Sequence, residues 1–167
     1  MIKIRVLGID PGLATTGWGM VEGSPGAAPK FLASGHISTP AGLPLTERLL
    51  RIQQHITRLI VEHRPDHFAV EELFFTKHAA SIAATAQARG VILLTAAQQG
   101  LQAFEYNPRT IKIAITGYGS AEKKQIQLMV QRLLKLAELP KPDDMADALA
   151  IAICHLQTLR LPQGVEA

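Results

Sequence analysis

The N-terminal part of the chain is patterned as short β-rich runs broken by turn residues. Ile2–Ile9 is an apolar run interrupted by Lys3 and Arg5, and Asp10-Pro11-Gly12 forbids its continuation. Thr15–Val21 reads as a hairpin partner, with Gly17 and Gly19 where side chains would crowd a neighbour. After a turn over Ser24–Pro29, Phe31–Ile37 makes a third strand, and Pro40, Gly42 and Pro44 mark a loop. The period then changes. Leu45, Leu49, Ile52, Ile56, Leu59 and Ile60 recur at three and four, predicting an amphipathic helix over Leu45–Glu62, closed by Pro65. Thr46 lies close to its first turn, and Glu47 suits the positive helix end.

His67–Glu71 is a fourth short strand. Ala79–Ala97 is Ala-rich, with good helix propensity and one weak point at Gly90. Gln102–Tyr106 is a fifth strand, stopped by Asn107-Pro108, and a basic helical segment over Arg109–Thr116 is broken by Gly117-Tyr118-Gly119. Ser120, with Lys123 rather than Glu at the third position, is half a capping box. It precedes a helical stripe through Ile126, Met129, Val130, Leu133, Leu134 and Leu136. Pro140 and Pro142 separate that stripe from a last helix, Asp143–Leu159. A meander of strands followed by strands alternating with helices predicts an α/β fold with a mixed five-stranded sheet covered by helices.

Length and composition narrow the class. With 167 residues one domain is expected, the last few residues forming a flexible tail. At 47% hydrophobic and 19% charged residues, a disordered chain is excluded. The single Cys154 excludes a disulfide framework and a thiolate zinc site, which fits a reducing, cytoplasmic setting. No signal-type segment is visible, and no apolar run approaches the ~18 residues of a membrane span, so a soluble protein without a membrane partner is expected. Charge is uneven. Lys77–Lys135 carries eight basic residues against two acidic ones, a balance of +6, which leaves −3 for the rest of a +3 chain. That basic middle suits a polyanion, although a solvated helix face carries charge as well.

Candidate chemistry lies with the acids. Asp10 ends an apolar strand, where an ionised carboxylate is costly unless a cation compensates it, although Asp-Pro-Gly is also an ordinary turn. Glu71 and Glu72 end another strand. Alternation sends them to opposite faces, so at most one joins a shared site. Asp144 and Asp147 stand at i, i+3 on one face of the last helix, and Asp143 is a natural cap for it. Hard oxygen ligands select Mg²⁺ or Mn²⁺ over zinc, and paired metals ~3.5–4 Å apart are a standard device for in-line phosphodiester hydrolysis. Gly117–Lys123 lacks the Gly-Lys-Ser/Thr ending of a Walker site. Phe74 and Phe75 are core residues or a base-stacking platform, and Cys154 and His155 read as packing residues.

Several segments, in order and across nearly the whole chain, resemble the RuvC Holliday-junction resolvases: Leu7-Gly8-Ile9-Asp10-Pro11-Gly12, Phe68-Ala69-Val70-Glu71, Gln87-Ala88-Arg89-Gly90-Val91, Phe104-Glu105-Tyr106, Gly119-Ser120-Ala121-Glu122-Lys123 and Asp144-Met145-Ala146-Asp147-Ala148-Leu149-Ala150. The resemblance implies an RNase H-like fold, a homodimer formed through the Ala79–Ala97 helix, and Mg²⁺-dependent cutting (Mn²⁺ substituting) of four-way junction DNA by symmetric paired nicks. It also implies a branch-migration motor (RuvA and RuvB) as partner. It places the catalytic, metal-binding acids at Asp10, Glu71, Asp144 and Asp147, and the DNA contacts at Phe74, Lys112 and Lys123. Asp143 and Glu72 stand beside that set as competing ligands. The rivals are an RNA-processing nuclease of the same fold, a catalytically silent junction binder, and an actin-like ATP-binding module suggested by Asp10–Gly19.

Overall fold

The computed structural model describes residues 2–73 and 79–159. Phe74, Phe75 and the expected C-terminal tail lie outside these residues. Five strands form one sheet: β1 (Ile4–Asp10), β2 (Thr15–Gly23), β3 (Lys30–Ser38), β4 (His67–Glu71) and β5 (Ala103–Tyr106). Their order is β3-β2-β1-β4-β5. The β1–β2 and β2–β3 pairs are antiparallel and the β1–β4 and β4–β5 pairs parallel, so the sheet is mixed. The helices are α1 (Leu45–His63), α2 (Ala79–Gln98), α3 (Pro108–Thr116), α4 (Lys123–Leu133) and α5 (Asp143–Thr158).

Side-chain alternation divides the strands between two cores. Leu7, Ile9, Met20, Phe68 and Val70 pack with Ile52, Ile56 and Ile60 of α1 and Ala88, Ile92 and Ala96 of α2. Val6, Val21 and Ala69 face the other way, against Ile111 and Ile115 of α3, Ile126 and Val130 of α4, and α5. Helix α5 is buried along Ala148–Leu156, sheet on one side and α3 and α4 on the other, so its sequence is apolar all round.

Glycines set how close α5 comes. A Cβ on Gly8 would strike the Ala148 carbonyl and come within 2.9 Å of the Ala152 Cβ, and one on Gly19 would lie 2.6 Å from a Leu149 methyl. Gly8 and Gly19 are register partners on β1 and β2, as are Asp10 and Gly17. The crowding expected at Gly17 and Gly19 is therefore real, and its source is α5.

Four local expectations change. Strand β1 begins at Ile4 and includes Asp10. The cap of α4 is Glu122, not Ser120: the Glu122 N–H donates to Gln125 Oε1 at 2.8 Å. The cap of α5 is Pro142 rather than Asp143. Helix α2 over Ala80–Gln98, with mean hydropathy 1.3, does reach the length and apolarity of a membrane span. Its Ala88, Ile92, Thr95 and Ala96 are buried in the fold, and mid-helix Arg89 is ion-paired to Glu105, a group costly to carry into lipid.

His155 is more than packing. It is 1% exposed, with Nε2 2.8 Å from His67 Nδ1, Nδ1 2.7 Å from Tyr106 Oη, and the Phe104 ring centroid 4.5 Å from its own. Burial, with His67 adding to it, lowers its pKa from 6.5 to about 4. The unfolded chain therefore takes this proton first as pH falls. Stability linked to His155 is present above pH 6.5 and lost as pH falls toward 4. His155→Asn is expected to be less stable at neutral pH and to lose that segment of acid sensitivity, measured by thermal melts between pH 7.5 and 4.

Candidate active site

Four of the acids converge where β1, β4 and α5 meet. Asp10 is the last residue of β1, and Glu71 the last of β4. Alternation puts Asp10 on the Val6 and Gly8 side and Glu71 on the Ala69 side, both facing α5. Asp144 is brought in by Gly17, the register partner of Asp10: a Cβ there would collide with the Asp144 backbone and lie 2.8 Å from its Cβ. Asp147, one turn on, lines a cleft with Glu71, Lys112, Lys123, Pro108 and Ile126.

The charges of these groups are coupled. Burial, then Asp147, Glu71 and Asp144, push the Asp10 carboxyl well above the ordinary carboxylate range, and only Lys123 opposes them. Burial, then Asp147, raises Glu71 to about 7 against the pull of Lys112. Asp147 is raised by burial and by Asp144 and Asp143, offset in part by Lys123. Burial works against the charge on Lys123, but Asp147, Asp143 and Asp144 outweigh it and raise the ammonium pKa. Among the described residues no three His, Cys, Asp or Glu side chains already stand as a closed metal-ligand group. The four acids feel one another's charge, and Glu71 and Asp147 share the cleft. Their oxygen-only chemistry, and the cost of ionising two buried members together, fit a hard divalent cation.

The neighbouring acids separate from this set. Asp143 accepts from Gln127 Nε2 at 2.8 Å, and its other oxygen lies 3.3 Å from Lys123 Nζ, which is also 3.6 Å from Asp147. Asp143 thus tethers Lys123 beside the site. Glu72 is exposed beyond the end of β4, and its N–H donates to the Tyr106 carbonyl at 2.8 Å. Lys112 and Lys123 both reach the cleft. Phe74 falls outside the described residues. Sequence reasoning missed Arg89, whose Nε donates to the Glu71 carbonyl at 3.0 Å and whose guanidinium pairs with Glu105. Two signals could have found it: it is a lone Arg in an otherwise uncharged helix, and it lies within the Gln87–Val91 segment that carries the family resemblance.

Comparison with known proteins identifies the family. Residues 6–155 match the family described as crossover junction endodeoxyribonuclease RuvC. The chain belongs to the RuvC family. Its RuvC relatives include that of Syntrophomonas wolfei, 49% identical over 98% of this chain and 95% of the relative, and one from Chloroflexus aurantiacus, 51% identical over 93% and 94%. The Thermus thermophilus RuvC solved with a Holliday junction substrate superposes with a TM-score of 0.86 at 35% identity, covering 91% of this chain and 92% of that one. A yeast mitochondrial Holliday junction resolvase shares the fold at 14% identity, TM-score 0.61. RuvC proteins are metal-dependent endodeoxyribonucleases with the RNase H-like fold, and the nuclease reading stands over the ATP-binding and silent-binder alternatives.

The raised carboxyls set a pH dependence. Glu71 folded holds its proton to about 7 while the unfolded value is 4.5, so without a cation stability falls as pH rises from 4.5 to about 7. In chelator, Glu71→Gln is expected to gain melting temperature relative to the parent across that interval. The parent should recover more than the variant when a divalent cation is added, read by thermal melts at pH 5 and 7.5.

Proposed function

We propose that this chain resolves four-way DNA junctions by hydrolysing one phosphodiester per protomer with Mg²⁺, Mn²⁺ substituting, in recombination and repair. The observation that supports this is the electrostatic coupling of Asp10 to Glu71, Asp144 and Asp147, with Glu71 and Asp147 lining a cleft that Lys112 and Lys123 also line. Two divalent ions held by those four carboxylates would activate the attacking water and stabilise charge on the leaving oxygen. The chain's own groups do the rest. Asp10 and Glu71, half-buried on strand ends, would hold the ions, whose charge would favour the ionised carboxylates. Lys123, tethered by Asp143, steadies the scissile phosphate, and Lys112 binds the strand leaving the cleft. Phe74 is the proposed stacking residue.

The same reading takes the whole chain as one nuclease domain working as a homodimer, in the cytoplasm and with the branch-migration motor as partner. The dimer is supported by α2, where a span of mean hydropathy 1.3 leaves Leu94 58% exposed, an apolar surface suited to a second copy. Two-fold symmetry would then present identical sites to related strands. The cytoplasmic reading is supported by Cys154, buried and unpaired.

The deciding experiment maps nicks on a synthetic mobile junction with and without Mg²⁺, beside linear duplex and RNA junction controls. Paired, symmetric, Mg²⁺-dependent nicks in the DNA junction are expected, and preference for the RNA would instead favour an RNA-processing enzyme. Asp10→Asn should bind the junction and leave it uncut; strong residual nicking would refute the role given to Asp10. Lys112→Ala should weaken binding and reduce the slope of log affinity against log salt by about one unit if one phosphate contact is lost, measured by binding titrations at several salt concentrations.

A further inference from the structure

The end of β4 is held by less backbone pairing than its middle. The last β1–β4 register pair is Ile9 with Val70, whereas β4–β5 pairing continues to Glu71 with Tyr106. Beyond it the Glu72 N–H donates to the Tyr106 carbonyl, toward β5. The N–H and C=O of one trans peptide point in opposite directions, so the Glu71 carbonyl points away from β5. On that side β1 ends at Asp10 and continues into Pro11, which has no N–H to give. Arg89 supplies the missing donor, its Nε 3.0 Å from the Glu71 carbonyl oxygen.

We propose that Arg89 of α2 is a positioning residue for the Glu71 carboxylate, replacing through its side chain the sheet rung that Pro11 cannot make. The assignment rests on the reading of Glu71 as a metal-binding catalytic acid. Arg89 comes from the sheet face opposite α5, so it touches the backbone of Glu71 and not the acid cluster. The cation whose charge bears on the Glu71 carboxylate is Lys112. The Arg89 Nη2 pairs with Glu105, whose register partner is Val70, one residue before Glu71. One planar fork therefore ties α2 to both β4 and β5 at the site end of the sheet, with the Arg89 side chain only 15% exposed. Lysine has one nitrogen and cannot make both contacts in this geometry.

The two halves of the fork separate by substitution. Glu105→Gln removes the ion pair and leaves the donor to Glu71; Arg89→Lys keeps a charge for Glu105 and loses the bond to the carbonyl. Each variant, with Glu71→Gln in parallel, is measured for melting temperature, for the rise in melting temperature caused by Mg²⁺, for junction binding in chelator, and for the cleavage rate against Mg²⁺ concentration. Glu105→Gln is expected to melt lower and cut within about twofold of the parent. Arg89→Lys is expected to bind the junction normally, cut about 10-fold more slowly or worse, need more Mg²⁺ for half-maximal cleavage, and show a smaller Mg²⁺-induced rise in melting temperature. The inference is overturned if Arg89→Lys matches the parent in rate and Mg²⁺ requirement, or if Glu105→Gln loses as much rate as Arg89→Lys. Normal cutting by Glu71→Gln would overturn the reading of Glu71 itself; an inactive Glu71→Gln beside a fully active Arg89→Lys would overturn only the role of Arg89.

Discussion

The rest of the structure depends on how closely helix α5 lies against the β1–β2 ribbon. Gly8, Gly17 and Gly19 leave no room for a Cβ: Ala148 and Ala152 lie against Gly8, Asp144 against Gly17 and Leu149 against Gly19. At this distance a helix backbone rests almost on a strand backbone, and a single added methyl would force one away from the other. The contact runs the length of β1 and ends at the Gly17–Asp144 approach, beside Asp10. The packing that fills the core is therefore also what puts a helix-borne acid next to a strand-borne one.

That closeness opposes the electrostatics. Buried carboxylates repel each other and lose hydration, and both effects push Asp10 and Glu71 toward the protonated form. The apolar contacts of α5, buried from Ala148 to Leu156, offset this cost. The site is thus strained toward taking up positive charge. Lys123 and Lys112 supply part of it from α4 and α3, and a divalent cation is the natural remainder.

Sheet topology distributes the roles. The parallel strands β1 and β4 end at the same edge, so Asp10 and Glu71 emerge side by side, and α5 crosses above them. The opposite face carries α1 and α2, with no acid of the cluster. Through Arg89, α2 nevertheless reaches the end of β4, linking an apolar helix on one face to the acid site on the other.

Much of this was legible in the chain. Alternating and helical periods placed all ten elements close to their observed bounds, because burial on one face imposes period two or 3.6 on any sequence. Strand alternation separated Glu71 from Glu72, and the spacing of Asp144 and Asp147 put them on one helix face, since both are local properties of backbone geometry. The family resemblance named the four acids before any contact was known. What only the tertiary structure decided were the non-local facts. The Asp143 carboxylate serves Gln127 and Lys123, Glu122 rather than Ser120 caps α4, His155 sits in a hydrogen-bonded chain with His67 and Tyr106, and Arg89 caps a strand end beyond which Pro11 has no N–H. Each depends on which side chain arrives from a distant part of the chain, and pattern along a sequence carries direction and period but not the identity of the partner across space.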